Sequence, residues 1–257
     1  SGDMDRKGSA GAKPGDVALL YLHGGGYFGC SAETHRPITC SFAREGFRVY
    51  APDYRLAPEH PFPAAVEDAL AAYRGLRELG FAGERIVVGG ESAGGGLTLA
   101  LLLALRDKGE ELPAAAILFS PWTDLAATGD SIQNNSKRCA MFDGADIAPT
   151  ARHYVGNADP KNPLVSPLYG DLRGLPPMVI HVGADEVLLD DSTRLAEKAR
   201  AAGVAVELKI WPVVPHAWQL APHKIPEARQ SLREAAEFAR KHAGAGKTSG
   251  VGLAQPG

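Results

Sequence analysis

The chain has no long apolar run. Nowhere among its 257 residues do 18 consecutive apolar side chains occur, so no transmembrane helix is expected. Cysteine is scarce as well. Cys30, Cys40 and Cys139 are odd in number and lack metal-type spacing, which argues against a disulfide framework and against a zinc or other metal site. They read as small apolar core residues of a protein from a reducing, cytoplasmic setting. Positive charge is not in excess: 27 Lys and Arg stand against 30 Asp and Glu, a net charge of -3. No basic face exists to neutralise phosphates, so no nucleic-acid partner is expected. Residues 1–16 are small, polar and Gly-rich, without the apolar stretch of a signal peptide, and read as a flexible arm. The stretch 244–257 reads as a flexible tail.

Between these ends, residues 17–243 can form one domain, because a chain that is 45% hydrophobic and 22% charged can bury one sizeable core. Short apolar runs at 17–22, 47–51, 85–88, 115–119, 178–182 and 204–211 alternate with helical patterns. Most of the runs are continuously apolar, the pattern of parallel strands covered on both faces. A helix is expected after Pro63, with Val66, Ala69, Leu70, Tyr73 and Leu76 at helical spacing and Gly80 as its stop. Others are expected over 38–45, 97–105, 192–202 and 227–242, the one at 97–105 buried because it is apolar nearly all round. The alternation predicts an α/β fold, a mostly parallel sheet with helices on both faces and a ligand site at the carboxyl ends of its strands. The long polar stretch 125–163, with one helix-like piece near 145–154, reads as a cap inserted over that site.

The strand at 85–88 leads into Gly90-Glu91-Ser92-Ala93-Gly94, and a helix follows at once. This is G-x-S-x-G between strand and helix, the context in which the serine is a nucleophile. The turn is so tight that the residues two before and two after Ser92 approach closely, which excludes a Cβ at Gly90 and Gly94. An earlier strand, 17–22, ends in His23-Gly24-Gly25-Gly26. Consecutive glycines let backbone N–H groups reach a developing oxyanion, and Gly25, Gly26 and the N–H of Ala93 are the expected donors. A phosphate-binding loop is excluded, because neither G-x-G-x-x-G nor G-K-[ST] is present.

An activated serine needs an imidazole base, oriented by a carboxylate, in the chain order Ser, acid, His. Of eight histidines, His23, His35 and His60 precede Ser92, His153 lies in the expected cap, His181 is inside a strand and His242 ends a helix. His216, a short loop beyond the strand at 204–211, is the expected base, with His223 less well placed. The acid should follow the strand at 178–182. There Asp185 and Glu186 compete, while Asp190 and Asp191 are read as caps of the helix near Ser192. Position alone does not separate Asp185 from Glu186.

Several segments, in order over about residues 17–243, resemble the bacterial hormone-sensitive-lipase-like carboxylesterases: His23-Gly24-Gly25-Gly26, Asp53-Tyr54-Arg55-Leu56-Ala57-Pro58-Glu59-His60, Gly90-Glu91-Ser92-Ala93-Gly94-Gly95, Ser120-Pro121-Trp122, Ser166-Pro167-Leu168, Pro176-Pro177 and His216-Ala217-Trp218. The resemblance implies an α/β-hydrolase fold and a cofactor-free serine carboxylesterase that cleaves short- to medium-chain acyl esters through an acyl-enzyme. It implies a small-molecule ester as partner and, by analogy, a homodimer. It also favours Glu186 as the acid: Glu186-Val187-Leu188-Leu189-Asp190 matches a family segment that opens with the acid thirty residues before the histidine, and 216 - 186 = 30. Asp53 and Arg55 match a segment that holds loops beneath the site. Glu91 stands where the family commonly has Asp, and it is expected to stay clear of the chemistry. Such enzymes carry two further strands and a helical cap before the glycine motif, whereas 22 residues precede His23 here, so a shortened N-terminal region is expected. The rival readings are a deacetylase or amidase with the same triad, and a non-catalytic receptor on the same fold.

Overall fold

The computed structural model describes residues 11–244. Six parallel strands form one sheet: β1 (Ala18–Leu22), β2 (Arg48–Tyr50), β3 (Ile86–Glu91), β4 (Ala115–Phe119), β5 (Met178–Gly183) and β6 (Val206–Trp211), in the order β2-β1-β3-β4-β5-β6. All six coincide with the expected strands to within about three residues at each end. Seven helices are present among the described residues: α1 (Arg36–Arg44), α2 (Ala64–Glu78), α3 (Ala93–Asp107), α4 (Ser131–Asn134), α5 (Gly144–Val155), α6 (Leu189–Ala201) and α7 (Pro226–Ala243).

The continuous apolar runs follow from a sheet covered on both sides. Along β1, Ala18, Leu20 and Leu22 belong to the core layer that holds α2, α3 and α6, while Leu19 and Tyr21 belong to the layer that holds α1 and α7. β4 divides in the same way, Ala116 and Leu118 to one side and Ala115, Ile117 and Phe119 to the other. α3 lies buried from Ala93 through Leu105, as its all-round apolar surface requires. β6 is the exception. It is one of the two edge strands, with Ile210 46% exposed, and its residues alternate instead of running apolar throughout.

Three details differ from expectation. The cysteines are not core residues: Cys30 is exposed, Cys40 and Cys139 are half-buried, and all three are free thiols. The insertion after β4 holds two helices instead of one, because the single turn α4 has no apolar period to announce it. Asp190 and Asp191 do not cap α6, which begins at Leu189. Both reach across to other loops instead. Asp191 accepts the N–H groups of Thr123 and Asp124 at 2.6 and 2.8 Å, and Asp190 accepts that of Ser131 at 2.8 Å. Of the expected arm and tail, residues 1–10 and 245–257 lie outside the described residues. Ala12 donates its N–H to the Leu79 carbonyl at 2.9 Å.

Candidate active site

Ser92 stands between the carboxyl end of β3 and the first turn of α3, with φ 54° and ψ -122°. A serine in this region stores about 1–3 kcal/mol of strain, which the surroundings must hold. They do so through backbone hydrogen bonds. Ser92 N–H donates to the Phe119 carbonyl at 2.9 Å, and the Ser92 carbonyl accepts from Trp122 at 2.9 Å and Gly96 at 3.1 Å. A Cβ on Gly90 would overlap the Gly94 carbonyl, and one on Gly94 would overlap the Leu22 carbonyl at the end of β1. The glycines at these two positions therefore let the elbow close against its neighbour strand.

β1 ends beside it in the glycine loop. Gly25 and Gly26 adopt φ +113° and +63°. Tyr54 pins the loop from below, its hydroxyl donating to the His23 carbonyl at 2.6 Å and its ring stacked on His23 at 4.3 Å. Among the described residues the N–H groups of Gly25, Gly26 and Ala93 have no acceptor within the protein. Gly25 and Gly26 share one cavity with Ser92 and His216. Its volume is about 410 Å³, and its wall is mostly apolar: Phe28, Trp122, Leu188 and Leu220, with Met141, Phe142 and Ile147 from the insertion after β4.

His216 follows β6 on the loop 212–215 and is buried. Its Nδ1 lies 2.6 Å from Glu186 Oε2. A carboxylate only accepts, so Nδ1 carries the proton and Nε2 of the neutral ring presents a lone pair. That Nε2 is buried and has no partner in the protein. Burial alone would push the His216 pKa down, but the charge and hydrogen bond of Glu186, with a smaller contribution from Glu91, hold it above the ordinary histidine value.

Glu186 is itself held on every side. Its Oε1 accepts the Ser120 hydroxyl at 2.7 Å and the Gly183 N–H at 2.6 Å, and its backbone carbonyl accepts Asn135 Nδ2 at 2.8 Å. Asp185, its competitor in the sequence, points away to solvent and lies 3.5 Å from Arg138. The structure thus brings Ser92, His216, Gly25 and Gly26 to one cavity and sets Glu186 directly behind His216. Asp53 and Arg55 are outside it, Asp53 accepting the Ala32 N–H at 2.6 Å and Arg55 paired with Asp68 at 2.8 Å.

Sequence reasoning missed two groups. Ser120, quoted only as part of a motif, orients Glu186. Glu91 and His35, set aside, meet beneath the glycine loop at 2.9 Å. Among the described residues no cluster of three His, Cys, Asp or Glu is placed to hold a metal ion, and no helix is long and apolar enough to cross a membrane.

A parallel sheet with a strained serine at its central strand end, facing a buried His–Glu pair and free N–H donors, is the arrangement of the α/β-hydrolase class. The comparisons with known proteins agree. Residues 19–220 match the family described as alpha/beta hydrolase fold, and the chain belongs to it. It is similar to an acetyl-hydrolase of Streptomyces hygroscopicus, 43% identical over 259 residues that cover 93% of this chain and 87% of that protein. Among solved structures it is similar to an esterase of the bacterial hormone-sensitive lipase family, with a TM-score of 0.87 and 48% identity, covering 91% of this chain and 78% of the other. It is also similar to EstE5, whose crystal was soaked with p-nitrophenyl butyrate, with a TM-score of 0.87 and 46% identity over 90% of this chain and 78% of that one. The protein is accordingly an esterase of the bacterial hormone-sensitive lipase type, a serine carboxylic ester hydrolase.

Proposed function

We propose that this esterase hydrolyses short- to medium-chain acyl esters of small molecules through a Ser92–His216–Glu186 triad. The observation that carries the reading is the single cavity shared by strained Ser92, the unpartnered Nε2 of His216 and the free N–H groups of Gly25 and Gly26. His216 Nε2 takes the Ser92 proton as Oγ attacks the ester carbonyl, and Glu186 stabilises the imidazolium. The tetrahedral oxyanion is held by Gly25, Gly26 and Ala93, each donor contributing about 3–4 kcal/mol to the transition state. His216 then protonates the leaving alcohol. Water repeats the sequence on the acyl-enzyme, with His216 first base and then acid.

A cavity of about 410 Å³ with apolar walls suits a short acyl chain. The insertion after β4 acts as the cap that closes it. The free cysteines support a reducing, cytoplasmic setting. The likeness to an acetyl-hydrolase favours a second reading within the same chemistry, removal of an acetyl group from a particular small molecule. The test is hydrolysis of p-nitrophenyl esters from acetate to palmitate by wild type and Ser92→Ala. Activity should peak at short chains and fall by roughly six orders of magnitude in the variant. Unchanged turnover by Ser92→Ala would refute the triad.

A further inference from the structure

Glu91 is the last residue of β3, next to Ser92, and is buried. Its carboxylate turns away from the serine and under the glycine loop. Oε2 accepts the N–H of Gly24 at 2.7 Å and lies 2.9 Å from Nε2 of His35. The same Gly24 N–H also points at that ring nitrogen, but at 3.3 Å this is the long branch of a shared contact whose main acceptor is Glu91 Oε2 at 2.7 Å, which leaves the 2.9 Å contact between Nε2 and Oε2 to be made by a proton on the ring. A Cβ on Gly24 would overlap the Glu91 carboxylate. The backbone can therefore rest on the carboxylate only because residue 24 is glycine.

The proton count on His35 follows from its neighbours. Thr34 gives its hydroxyl proton to the Ser31 carbonyl at 2.8 Å, so toward His35 Nδ1, 2.9 Å away, its oxygen can only accept. The Ser31 carbonyl, 3.2 Å from the same nitrogen, can only accept as well. Nδ1 thus carries a proton. Nε2 faces a carboxylate and carries one too. A ring that donates from both nitrogens is an imidazolium. The directions of the two pKa shifts agree. Burial works against both charges, yet the mutual hydrogen bond and attraction raise His35 and lower Glu91.

We propose that Glu91 and His35 form a buried ion pair that positions the oxyanion loop. It is a clamp built from the nucleophile strand on one side and α1 on the other. This rests on the reading of Gly25 and Gly26 as oxyanion donors. Gly24 is the residue before them, so fixing its N–H fixes the direction of the next two amides. Glu91 and His35 reach the floor of the same cavity, but their facing polar atoms are taken up by Gly24 and by each other. They are positioning residues, and their effect should appear in the transition state and not in substrate binding. Breaking such a pair from one side leaves a buried charge uncompensated, so the loop should move.

The test uses the full chain as wild type, Glu91→Gln, His35→Gln and Ser92→Ala. Three quantities are read: steady-state hydrolysis of p-nitrophenyl acetate, inhibition by an aryl trifluoromethyl ketone whose serine adduct carries an oxyanion, and the pH profile of kcat/KM. Removing one oxyanion donor outright lowers kcat by about 10²–10³-fold, so a displaced loop should lose about 10–100-fold in either variant. KM should stay nearly constant, and ketone affinity should fall in parallel with kcat. The acid limb should move to lower pH in Glu91→Gln, which removes a negative charge that supports protonated His216. It should move to higher pH in His35→Gln, which leaves that charge uncompensated. A general structural defect would not move the limb in opposite directions. Either variant, melting cooperatively and retaining wild-type kcat and ketone affinity, overturns the clamp. So does a loss of kcat without the opposite limb shifts. If Glu91→Gln does not fold, His35→Gln carries the same three readouts. Retained activity in Ser92→Ala would instead overturn the triad reading on which the clamp depends.

Discussion

At the scale of single side chains, the proposed triad makes the reaction wait on the protonation of His216. Two opposing influences act on it. Burial disfavours the imidazolium, and the Glu186 carboxylate at 2.6 Å favours it, with the net shift upward. A base must be neutral to take the Ser92 proton. Activity should therefore rise with pH through a midpoint above about 6.5, the ordinary histidine value. Replacing Glu186 with Gln removes the charge that holds the midpoint up and frees the ring to take the wrong tautomer. The midpoint should move down and kcat should fall by about 10⁴-fold, as in comparable triads. The kcat/KM profile of Glu186→Gln beside wild type checks both. A Glu186→Gln profile coincident with that of wild type would remove Glu186 from the mechanism. That Ser92 and His216 meet at one cavity was legible in the sequence, since strand-turn-helix context and chain order single them out. Glu186 against Asp185 was not legible from position. Adjacent residues after β5 differ only in where their side chains point, and that is set by Ser120, 66 residues away.

At the scale of elements, the decisive joint is the turn from β3 into α3. A Cβ at Gly94 would meet the carbonyl oxygen of Leu22, and backbone cannot yield as a flexible side chain can. Gly94→Ala should therefore lose more than the 1–3 kcal/mol typical of overpacking, which lowers Tm by roughly 2–4 °C per kcal/mol in a domain of this size. Gly75, inside α2 with nothing within 4 Å of its would-be Cβ, is the control of opposite sign. Gly75→Ala should raise stability by up to about 1 kcal/mol, because alanine loses less backbone entropy on folding. Thermal melts of the two variants settle the contrast, and equal shifts would mean that the elbow is looser than its contacts indicate. The same joint explains what the sequence made visible. Gly90 and Gly94 show in the sequence as the G-x-S-x-G spacing, because the tight turn and the neighbouring end of β1 leave no room for a Cβ at either, and the strands show through two-sided burial. α4, with four residues, and the half-exposed cysteines follow from tertiary placement, for which no local pattern exists.

At the scale of the whole molecule, two buried ionisable groups that do not line the cavity pull stability against pH in opposite directions. His181 on β5 is enclosed between the sheet and α7, its Nδ1 2.8 Å from the Ser231 hydroxyl, which also accepts Gln219 Nε2 at 3.0 Å. Burial pushes its pKa down to about 4. In the unfolded chain it titrates near the ordinary histidine value of 6.5. Between those two values the unfolded state binds a proton that the folded state refuses, so this group makes the fold less stable as pH falls from 6.5 to 4. A shift of this size corresponds to about 3 kcal/mol at the acid end of the window. Asp191 works in the opposite direction. Burial raises its pKa to about 7 from 3.8, so over that range the folded state holds the extra proton and gains stability as pH falls. In the wild type the two trends oppose each other. His181→Gln removes one of them and leaves the other. Whatever the variant loses in packing at neutral pH, the gap between its Tm and that of wild type should narrow or reverse as pH is lowered from 7 to 4.5. The change should amount to several degrees at about 2–4 °C per kcal/mol. A gap that stays constant across this range would mean that His181 takes up its proton in the folded protein as readily as in the unfolded chain. In that case its Nε2 would carry a proton toward Glu234, 3.9 Å away, and the face of the sheet under α7 would hold an ion pair instead of a neutral ring.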